Sequence, residues 1–478
     1  MKTQNYIAGQ WRDGATTVTN VNPSDLSDVI GEYAQATHQD LDDALAAAEA
    51  GQIEWAKTGL EHRYNVLMAI GNEMIGRAAE LGETLSREEG KTKPEGFGEM
   101  YRSGQFFTYY AAEVLRQMGE VCDSVRPGIE VEARREPVGV VAIVTPWNFP
   151  MACAAWKIAP ALAYGNSVIW KPANITPATA CNFAEIMSRQ GLPDGVFNLV
   201  MGAGATIGDA MVSSPIVKAV TFTGSLNAGK KIAANAVSNL AKVQLEMGSK
   251  NALYVDASAN MTTAVDCAVN GAYGSTGQKC TASSRLIVHK DVHDEFVAAV
   301  TERVKALKVG PALEEGSQIG PVVSEAQIKQ NEHYLQVGQD EGATLVCGGE
   351  RLEMGTAGYY MAPALFVGGK NDMTINRDEI FGPIACVIKV DSYDEALEMV
   401  NDTQFGLTAG IITESLANAN HFKHNAKSGC VMINLPTAGT DYHVPFGGRK
   451  NSSYGSREQG KYAAEFYTVV KTTYMKAY

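Results

Sequence analysis

The sequence lacks the features that mark nucleic-acid-binding, membrane-bound and secreted proteins. Its 478 residues carry a net charge of −13 and no run of Lys or Arg, so a basic surface for phosphates is not expected. No stretch approaches the roughly 18 apolar residues that cross a bilayer. The first residues have neither a continuous apolar region nor a small-residue cleavage site. We therefore expect no nucleic-acid partner, no membrane partner and no signal peptide.

Cysteine is present without a pairing pattern. The eight cysteines are scattered, with no CxxC pair and no Cys/His spacing of the kind that binds zinc. Neither a disulfide framework nor a metal site is therefore expected. Most of the thiols should be small buried side chains of a protein in a reducing compartment. The sequence thus predicts a cytoplasmic protein without a metal ion.

Length and apolar periodicity indicate an α/β protein of two or three domains. From about residue 40 to 120, apolar residues recur at the three- and four-residue spacing of amphipathic helices. Between 138 and 256, apolar strands alternate with helices, which predicts a parallel sheet covered on both faces and a nucleotide-binding architecture. A second α/β unit is predicted from near Ser249, with helix 261–274, strand RLIVH, helix 291–307, strand FGPIACVIKV and helix 393–401.

Two distant segments, 119–137 and 462–475, have the alternating character of exposed strands. Both look like excursions from the main body of the protein. We expect that they pair with each other and extend the sheet of a neighbouring subunit.

The usual dinucleotide-binding fingerprint is absent. Gly202 and Gly204 follow the strand VFNLV, but Gly208 comes one position too late for GxGxxG, which favours a plain turn over a phosphate loop. In FTGSLNAG, by contrast, Gly224 and Ser225 open a helix directly after a strand. Glycines and a helix N-terminus suit a pyrophosphate, although many strands end in Thr-Gly.

Three residues are candidates for chemistry. A single cysteine is ordinarily inert, but the polar neighbours of Cys280 in GQKCTASSR, including Lys279, favour an accessible thiol with a lowered pKa. Glu246 ends an apolar strand, either as a solvated strand end or as a carboxylate in a cleft, and parallel sheets favour the cleft. Asn148, in WNFP, follows another strand and is either a turn former or an oxyanion donor.

Ordered motifs along the chain resemble those of the NAD(P)-dependent aldehyde dehydrogenase superfamily. The resemblance extends from about residue 5 to the C-terminus. The motifs are TPWNFP at 145–150, WKP at 170–172, FTGS at 222–225, LEMGSK at 245–250, GQKC at 277–280, EIFGP at 379–383 and PFGG at 445–448.

The resemblance implies a fold with a Rossmann-like parallel-sheet cofactor domain, an α/β catalytic domain and a small β oligomerisation arm. It further implies a homodimer or a homotetramer built from dimers. The ranges are 1–118 and 138–248 for the cofactor domain, 249–435 for the catalytic domain, 436–461 for a returning loop and helix, and 119–137 with 462–478 for the arm.

The resemblance also implies a mechanism. Cys280 attacks the aldehyde carbon, the Asn148 amide and the Cys280 backbone N–H form the oxyanion hole, and Glu246 activates the water that hydrolyses the thioester. The implied contacts to NAD or NADP come from Trp147, Lys171, Asn174, Gly224, Ser225, Glu379 and Phe381.

The chain departs from the family pattern at several positions. The family's LELGGK reads LEMGSK, with Glu246 kept. Asn174 stands where NAD-preferring members often carry Glu, and a neutral amide does not repel a 2′-phosphate, so we expect NADP to be accepted. Trp156 and Gly274 stand where succinic-semialdehyde members typically place Arg. That lowers, without excluding, the succinic-semialdehyde hypothesis.

Several stretches, among them EGKTKPEGFGEMYRSGQFFTYYAAE, are more similar to α-ketoglutaric semialdehyde dehydrogenases. By this resemblance Arg102 falls where other members line the substrate tunnel, so it is either a solvated helix residue or a partner for a substrate carboxylate. Gln105 and the loop Leu435–Tyr442 are further tunnel candidates. Succinic, glutaric and amino-aldehyde substrates, and a catalytically silent structural subunit, are the alternatives.

Overall fold

The N-terminal part of the chain combines short strands with four long helices. A computed structural model describes residues 2–117 and 119–476; residues 1, 118, 477 and 478, which fall within the predicted domain ranges, lie outside the described residues. The helical pattern predicted for 40–120 is confirmed, and in the described residues no helix combines the length and apolarity needed to cross a membrane. The elements are β1 (Asn5–Ile7), β2 (Gln10–Arg12), β3 (Thr16–Asn22), β4 (Asp25–Gln35), α1 (His38–Lys57), α2 (Leu60–Gly76), α3 (Ala78–Glu89), α4 (Lys93–Val114), β5 (Glu120–Asp123) and β6 (Ile129–Pro137).

The predicted alternation of strands and helices then builds a parallel sheet. Its elements are β7 (Val140–Val144), α5 (Ala152–Ala163), β8 (Ser167–Lys171), α6 (Pro177–Met187), β9 (Phe197–Leu199), α7 (Asp209–Val212), β10 (Val217–Thr223), α8 (Leu226–Val237) and β11 (Lys242–Glu246). The parallel strands lie in the order β11-β10-β7-β8-β9, and β1 and β2 extend the β9 edge. Every residue of β7 and β8 is buried, because helices cover both faces.

A second sheet follows after a short crossing between Glu246 and Ala252, the stretch that contains the boundary predicted at Ser249. Its strands lie in the order β14-β15-β16-β13-β12-β17-β18, all parallel except for the pairing of β14 with β15. The elements are β12 (Ala252–Val255), α9 (Met261–Tyr273), β13 (Arg285–His289), α10 (Lys290–Lys305), α11 (Glu325–Asp340), β14 (Thr344–Cys347), β15 (Ala364–Val367), α12 (Thr374–Arg377), β16 (Ile384–Val390), α13 (Tyr393–Asn401), β17 (Thr408–Ile412), α14 (Leu416–Asn425) and β18 (Cys430–Ile433).

The C-terminal segment returns to the first sheet and then forms the arm. The remaining elements are β19 (Ser453–Tyr454), α15 (Ala464–Tyr467) and β20 (Thr468–Lys476). β19 pairs with β11, and β20 pairs with β6 along its whole length, as expected for the two arm segments. Two details differ from expectation. The strand begins at Thr468, after helical turns, and within 436–461 the expected helix is reduced to short 3₁₀ turns.

Candidate active site

The first sheet places its candidate residues at a topological switch point. From β7 the chain proceeds outward to β8 and β9, then returns to β10 and β11 on the other side of β7. Parallel strands end at one edge, and ligands bind in the crevice where the strand order reverses. Trp147 and Asn148 follow β7, Gly224 follows β10 and Glu246 ends β11, so all four meet at this edge.

A cavity of about 310 Å³ opens between this edge and the second sheet. It gathers most of the predicted site residues, including the candidate nucleophile Cys280. The lining residues are Pro146, Trp147, Asn148, Phe149, Cys153, Trp156, Thr223, Gly224, Ser225, Met247, Gly248, Cys280, Gln327, Gln330, Glu379 and Phe381.

Lys171, the last residue of β8, and Asn174, which follows that strand, lie outside the cavity and next along the same sheet edge. The Lys171 ammonium donates to the carbonyl oxygens of Pro172 and Gly202, and burial lowers its pKa to about 8. Asn174 Oδ1 is buried without a hydrogen-bond partner. The residues expected to contact the adenosine half of a cofactor therefore form a separate extension of the site.

The loop that carries Cys280 begins with three consecutive residues in the left-handed region. Their φ angles are 52° at Ser275, 55° at Thr276 and 67° at Gly277. Left-handed backbone costs roughly 1–2 kcal/mol for each residue that is not glycine. Two contacts hold the turn: Ser275 N donates to Glu95 at 2.7 Å, and Thr276 Oγ1 donates to the Gly320 carbonyl at 3.1 Å.

The environment of Cys280 overturns the expectation of a lowered pKa. Burial, followed by the nearby Glu379 and Glu246 carboxyl groups, raises the pKa of the thiol to about 12. The Lys279 ammonium donates to the Asn270 carbonyl at 2.9 Å. Adjacency in sequence therefore does not supply the expected cationic stabilisation, and the thiol is neutral at rest.

Asn148 connects the two sheets. Its side-chain Nδ2 donates to the Gln278 carbonyl at 2.9 Å, which uses one of the two N–H bonds of the amide. Its own carbonyl accepts from the buried Lys91 ammonium at 2.7 Å, and Lys91 is paired with Glu99 at 2.6 Å. The sequence analysis did not identify Lys91 or Glu99, which no motif spacing connects to Asn148.

Glu246 is held away from the described cavity lining. Ser453 Oγ donates to Glu246 Oε2 at 2.6 Å, while Oε1 is buried without a partner. Burial raises the pKa of Glu246 to about 8, and the Ser453 bond opposes that rise. Ser453 lies far away in sequence, so only the pairing of β19 with β11 reveals it.

Glu379 and Phe381 complete the wall that faces the first sheet. Glu379 Oε1 accepts from Ser249 N at 2.8 Å, and a Cβ on Gly248 would lie 2.0 Å from Glu379 Oε2. Burial raises the pKa of Glu379 to about 7. The Phe381 ring lies 5.4 Å from Trp147, edge to face. The glycine in LEMGSK thus provides the space that the carboxylate occupies.

A second cavity, of about 320 Å³, shares Phe149, Trp156 and Cys280 with the first. Arg102 lines it, so this residue belongs to the tunnel wall. Its guanidinium donates to the Thr440 carbonyl at 3.3 Å and lies 5.3 Å from the Tyr442 ring. Residues 438–440 of the predicted loop also line this cavity, whereas Gln105 is not among the described lining residues. Cys280 therefore stands where two cavities meet.

The sequence matches the aldehyde dehydrogenase family model over residues 11–473. The chain belongs to that family. The resemblance inferred from the motifs is confirmed, and the protein is an NAD(P)-dependent oxidoreductase with the aldehyde dehydrogenase fold.

Named relatives extend over almost the whole chain. It is 40% identical to the alpha-ketoglutaric semialdehyde dehydrogenase of Bacillus subtilis, with 99% of this chain and 98% of the relative covered. It is 39% identical to the 2,5-dioxopentanoate dehydrogenase of Saccharolobus solfataricus, with 99% of each chain covered. The crystal structure of betaine aldehyde dehydrogenase from Staphylococcus aureus in complex with NAD+ is 34% identical, with a TM-score of 0.97, covering 100% of this chain and 95% of that chain.

Proposed function

We propose that this enzyme oxidises α-ketoglutaric semialdehyde (2,5-dioxopentanoate) to 2-oxoglutarate with NAD(P)+, through a thioester on Cys280. The observation that carries the proposal is the meeting of two cavities at Cys280, with Arg102 in the wall of the second. A thiol at such a junction reaches a cofactor from one side and an aldehyde from the other. The two relatives named for this semialdehyde support the substrate assignment.

The residues at the sheet edge fit a dinucleotide. Asn174 Oδ1 and Thr223 Oγ1 are buried without partners, as expected of atoms that bond to a ligand. Gly224 and Ser225 open α8 beside the cavity, where a pyrophosphate is favoured. Lys171 and Asn174 would hold the adenosine ribose, and Trp147, Glu379 and Phe381 the nicotinamide half. When bound, the nicotinamide supplies the acceptor for a hydride.

Cys280 and Asn148 supply the first half of the mechanism. The thiol loses its proton to solvent, and the sulfur attacks the aldehyde carbon to form a tetrahedral oxyanion. The second N–H of the Asn148 amide and the Cys280 backbone N–H stabilise that oxyanion. Loss of a hydride from the same carbon leaves a thioester on Cys280, which is the acyl enzyme.

Glu246 supplies the second half. A water molecule attacks the thioester carbon as the Glu246 carboxylate takes its proton, which releases the carboxylic acid and returns the Cys280 thiol. The carboxylate must leave Ser453 and turn toward Cys280, and its unpartnered Oε1 makes that departure less costly. Because Cys280, Glu246 and Asn148 are all present, a silent structural subunit is not supported.

The tunnel favours an anionic substrate. Arg102 can pair with a distal carboxylate, whereas a cationic amino-aldehyde would be repelled. Succinic and glutaric semialdehydes carry the same carboxylate and are the alternatives within this class. Trp156, which stands where succinic-semialdehyde members have Arg, lines the tunnel as an apolar wall.

The enzyme's substrate range gives the first prediction. Wild type should reduce NAD(P)+ with α-ketoglutaric semialdehyde at a higher kcat/KM than with succinic, glutaric or neutral aldehydes, and Cys280→Ala should abolish turnover. Arg102→Leu should raise the KM for the carboxylated aldehydes about tenfold or more, relative to neutral ones, because a charge-assisted contact is lost. Equal KM changes for both classes would remove Arg102 from the substrate site.

The pH dependence of thioester hydrolysis should reveal the ionisation of Glu246. A general base acts deprotonated, so thioester hydrolysis should rise as pH passes through about 8, the raised pKa of Glu246. Ser453→Ala removes a bond that favours the charged carboxylate, so the rise should move to higher pH. Ser456→Ala on the same segment is the control. A profile that does not move in Ser453→Ala, measured by single-turnover deacylation, would contradict this assignment.

The neutral side chain of Asn174 predicts dual cofactor use. Wild type should use NADP and NAD with comparable kcat/KM, and Asn174→Glu should lower NADP use at least about tenfold through repulsion of the 2′-phosphate. Asn174→Gln, which keeps the amide, is the control. A wild-type preference for NAD above about 100-fold would disprove the prediction.

We also propose a cytoplasmic homodimer or a homotetramer built from dimers. All eight cysteines are free thiols, as expected in a reducing compartment. The arm strands β5, β6 and β20 form a sheet of their own with exposed apolar side chains, among them Val121, Val470 and Tyr474. Such a surface suits a second copy of the chain.

Sedimentation tests the arm. Val470→Asp combined with Tyr474→Asp should shift the protein toward monomer, because charge is placed on both exposed apolar positions. Leu416→Asp, at an even more exposed apolar position on α14, should leave the oligomer intact. An unchanged sedimentation coefficient in the arm variant would show that the arm is not the interface.

A further inference from the structure

Gly274 and Lys279 share one region of space beside the nucleophile. The backbone at Gly274 has φ −54° and ψ 143°, which suits any residue. A Cβ built on Gly274 would lie 3.0 Å from the Lys279 ammonium nitrogen. The ammonium therefore fills the volume that a side chain at position 274 would enter.

The left-handed turn at 275–277 explains this proximity. Three consecutive residues with positive φ reverse the chain between Gly274 and Lys279, so the lysine side chain folds back over the end of α9. There its ammonium donates to the Asn270 carbonyl at 2.9 Å. The C-terminal carbonyls of a helix favour a cation, so the site is electrostatically prepared for one.

Lys279 has unused hydrogen-bonding capacity. Its side chain is 9% exposed, and an ammonium group has three N–H donors. Among the described residues its one hydrogen bond goes to Asn270, and no carboxylate lies within ion-pair distance. Burial accordingly lowers its pKa to about 8, against the favourable field of Glu95. Such a cation gains more from an anionic ligand than a solvated lysine does.

Lys279 lines the same cavity as Arg102 and Cys280. Two carboxylates, Glu95 and Glu99, also line this cavity, and a free carboxylate would repel an anionic ligand. Both oxygens of Glu95 accept hydrogen bonds within the protein: one accepts from Ser275 N and Oγ, and the other accepts from Thr92 N and Oγ1.

Both oxygens of Glu99 also have partners within the protein. One oxygen accepts from Met151 N and Ala152 N, and the other is paired with Lys91. The carboxylate oxygens of the wall are therefore used within the protein. Lys279 and Arg102 have donors to spare, and one acceptor of the wall, the neutral Gln459 Oε1, is also buried without a partner among the described residues. Because the charged groups with unused capacity are both cations, the cavity complements an anionic group.

We propose that Lys279 is a specificity-determining residue whose ammonium, in the space left by Gly274, binds the acid end of an aldehyde substrate together with Arg102. The inference rests on the proposed function, because it concerns the group at the far end of the same substrate. Two separate cations suit a 2-oxo acid, which presents a carboxylate and a neighbouring carbonyl oxygen as acceptors. The substrate class is that of ω-aldehydes that carry a carboxylate.

The test compares kcat/KM for α-ketoglutaric semialdehyde with kcat/KM for pentanal, a neutral aldehyde of the same chain length. In Lys279→Met this ratio should fall at least about tenfold, through KM for the acid, since a charged hydrogen bond is lost. Lys279→Arg, which keeps the charge, should lose less of the ratio. Equal losses on both aldehydes in Lys279→Met would show a structural role near Cys280 and overturn the proposal.

Gly274 provides a second route that leaves Lys279 in place. Gly274→Ala inserts a Cβ against the ammonium, so it should lower the same ratio, whereas Gly76→Ala, at the exposed glycine that ends α2 and has open space around it, should not. Adding Gly274→Arg to Lys279→Met returns a cation to the shared volume and should restore the ratio. A ratio that stays at the Lys279→Met level would overturn the shared-space argument.

Wild-type measurements separate this inference from the proposed function. A preference for succinic or glutaric semialdehyde would overturn the substrate assignment alone. The effect of Lys279→Met on the ratio of kcat/KM values would then be measured with the preferred acid and a neutral aldehyde of the same length. A wild type that shows no preference for any carboxylated aldehyde over its neutral counterpart would overturn both proposals.

Discussion

The active site depends on the hydrogen bond that the Asn148 amide donates to the Gln278 carbonyl across the gap between the two sheets. Asn148 follows a strand of the first sheet, and Gln278 lies two residues before Cys280 in the second unit. The proposed oxyanion donor and the proposed nucleophile are therefore positioned relative to each other directly. Lys91 donates to the backbone carbonyl of Asn148, so the segment that carries the amide is fixed as well, and a shift of that segment would remove one hydrogen bond from a buried cation. Positioning of this quality is what oxyanion stabilisation requires.

Burial then sets the protonation state of this rigid site. The acidic groups Cys280, Glu246 and Glu379 all have raised pKa values, chiefly because each is removed from water. The Glu379 and Glu246 carboxyl groups add to the rise at Cys280. A neutral thiol is a weak nucleophile, but it is also a poor target for oxidants, which react with thiolates. The site thus protects Cys280 at rest and depends on proton removal during the reaction. The same low-dielectric surroundings strengthen the oxyanion contacts once charge develops.

The first sheet and the chemical centre could be predicted from sequence because their signals are local. A run such as VVAIV in β7 must be buried on both faces, and a polar residue just after it must lie at the sheet edge. The strands β1 and β2 and most strands of the second sheet were missed because they are short. The longer strands β3 and β4 were missed because most of their residues are polar or exposed, so no apolar run marks them. The pKa of Cys280 was mispredicted for a related reason. Lys279 is adjacent in sequence, but its ammonium is directed at Asn270, a contact made after the left-handed turn reverses the chain.

Other parts of the site had no local signal at all. Ser453 reaches Glu246 only because β19 adds to the edge of the first sheet, and Glu99 reaches the Asn148 loop only because α4 packs against α5. These partners are distant in sequence and ordinary in type, so neither spacing nor composition distinguishes them. The missed residues are mainly those that position the chemistry, whereas the residues proposed to perform it lie at strand ends, as Asn148 and Glu246 do, or in a polar local motif, as Cys280 does.

The two ends of the substrate tunnel are built under different constraints. At the reactive end, Asn148 is bonded to Gln278, which lies two residues before Cys280, so a change at one is transmitted to the others. At the far end, the Arg102 guanidinium contacts Thr440 and Tyr442 among the described residues, and neither belongs to the Asn148 network. A substitution there alters which group the tunnel accepts without moving the oxyanion hole. The turn at 275–277 is the exception, because it both aims Cys280 and folds Lys279 back into the tunnel. Substrate charge can therefore be retuned at positions 102, 274 and 279, while the turn that separates the last two must keep its strained conformation.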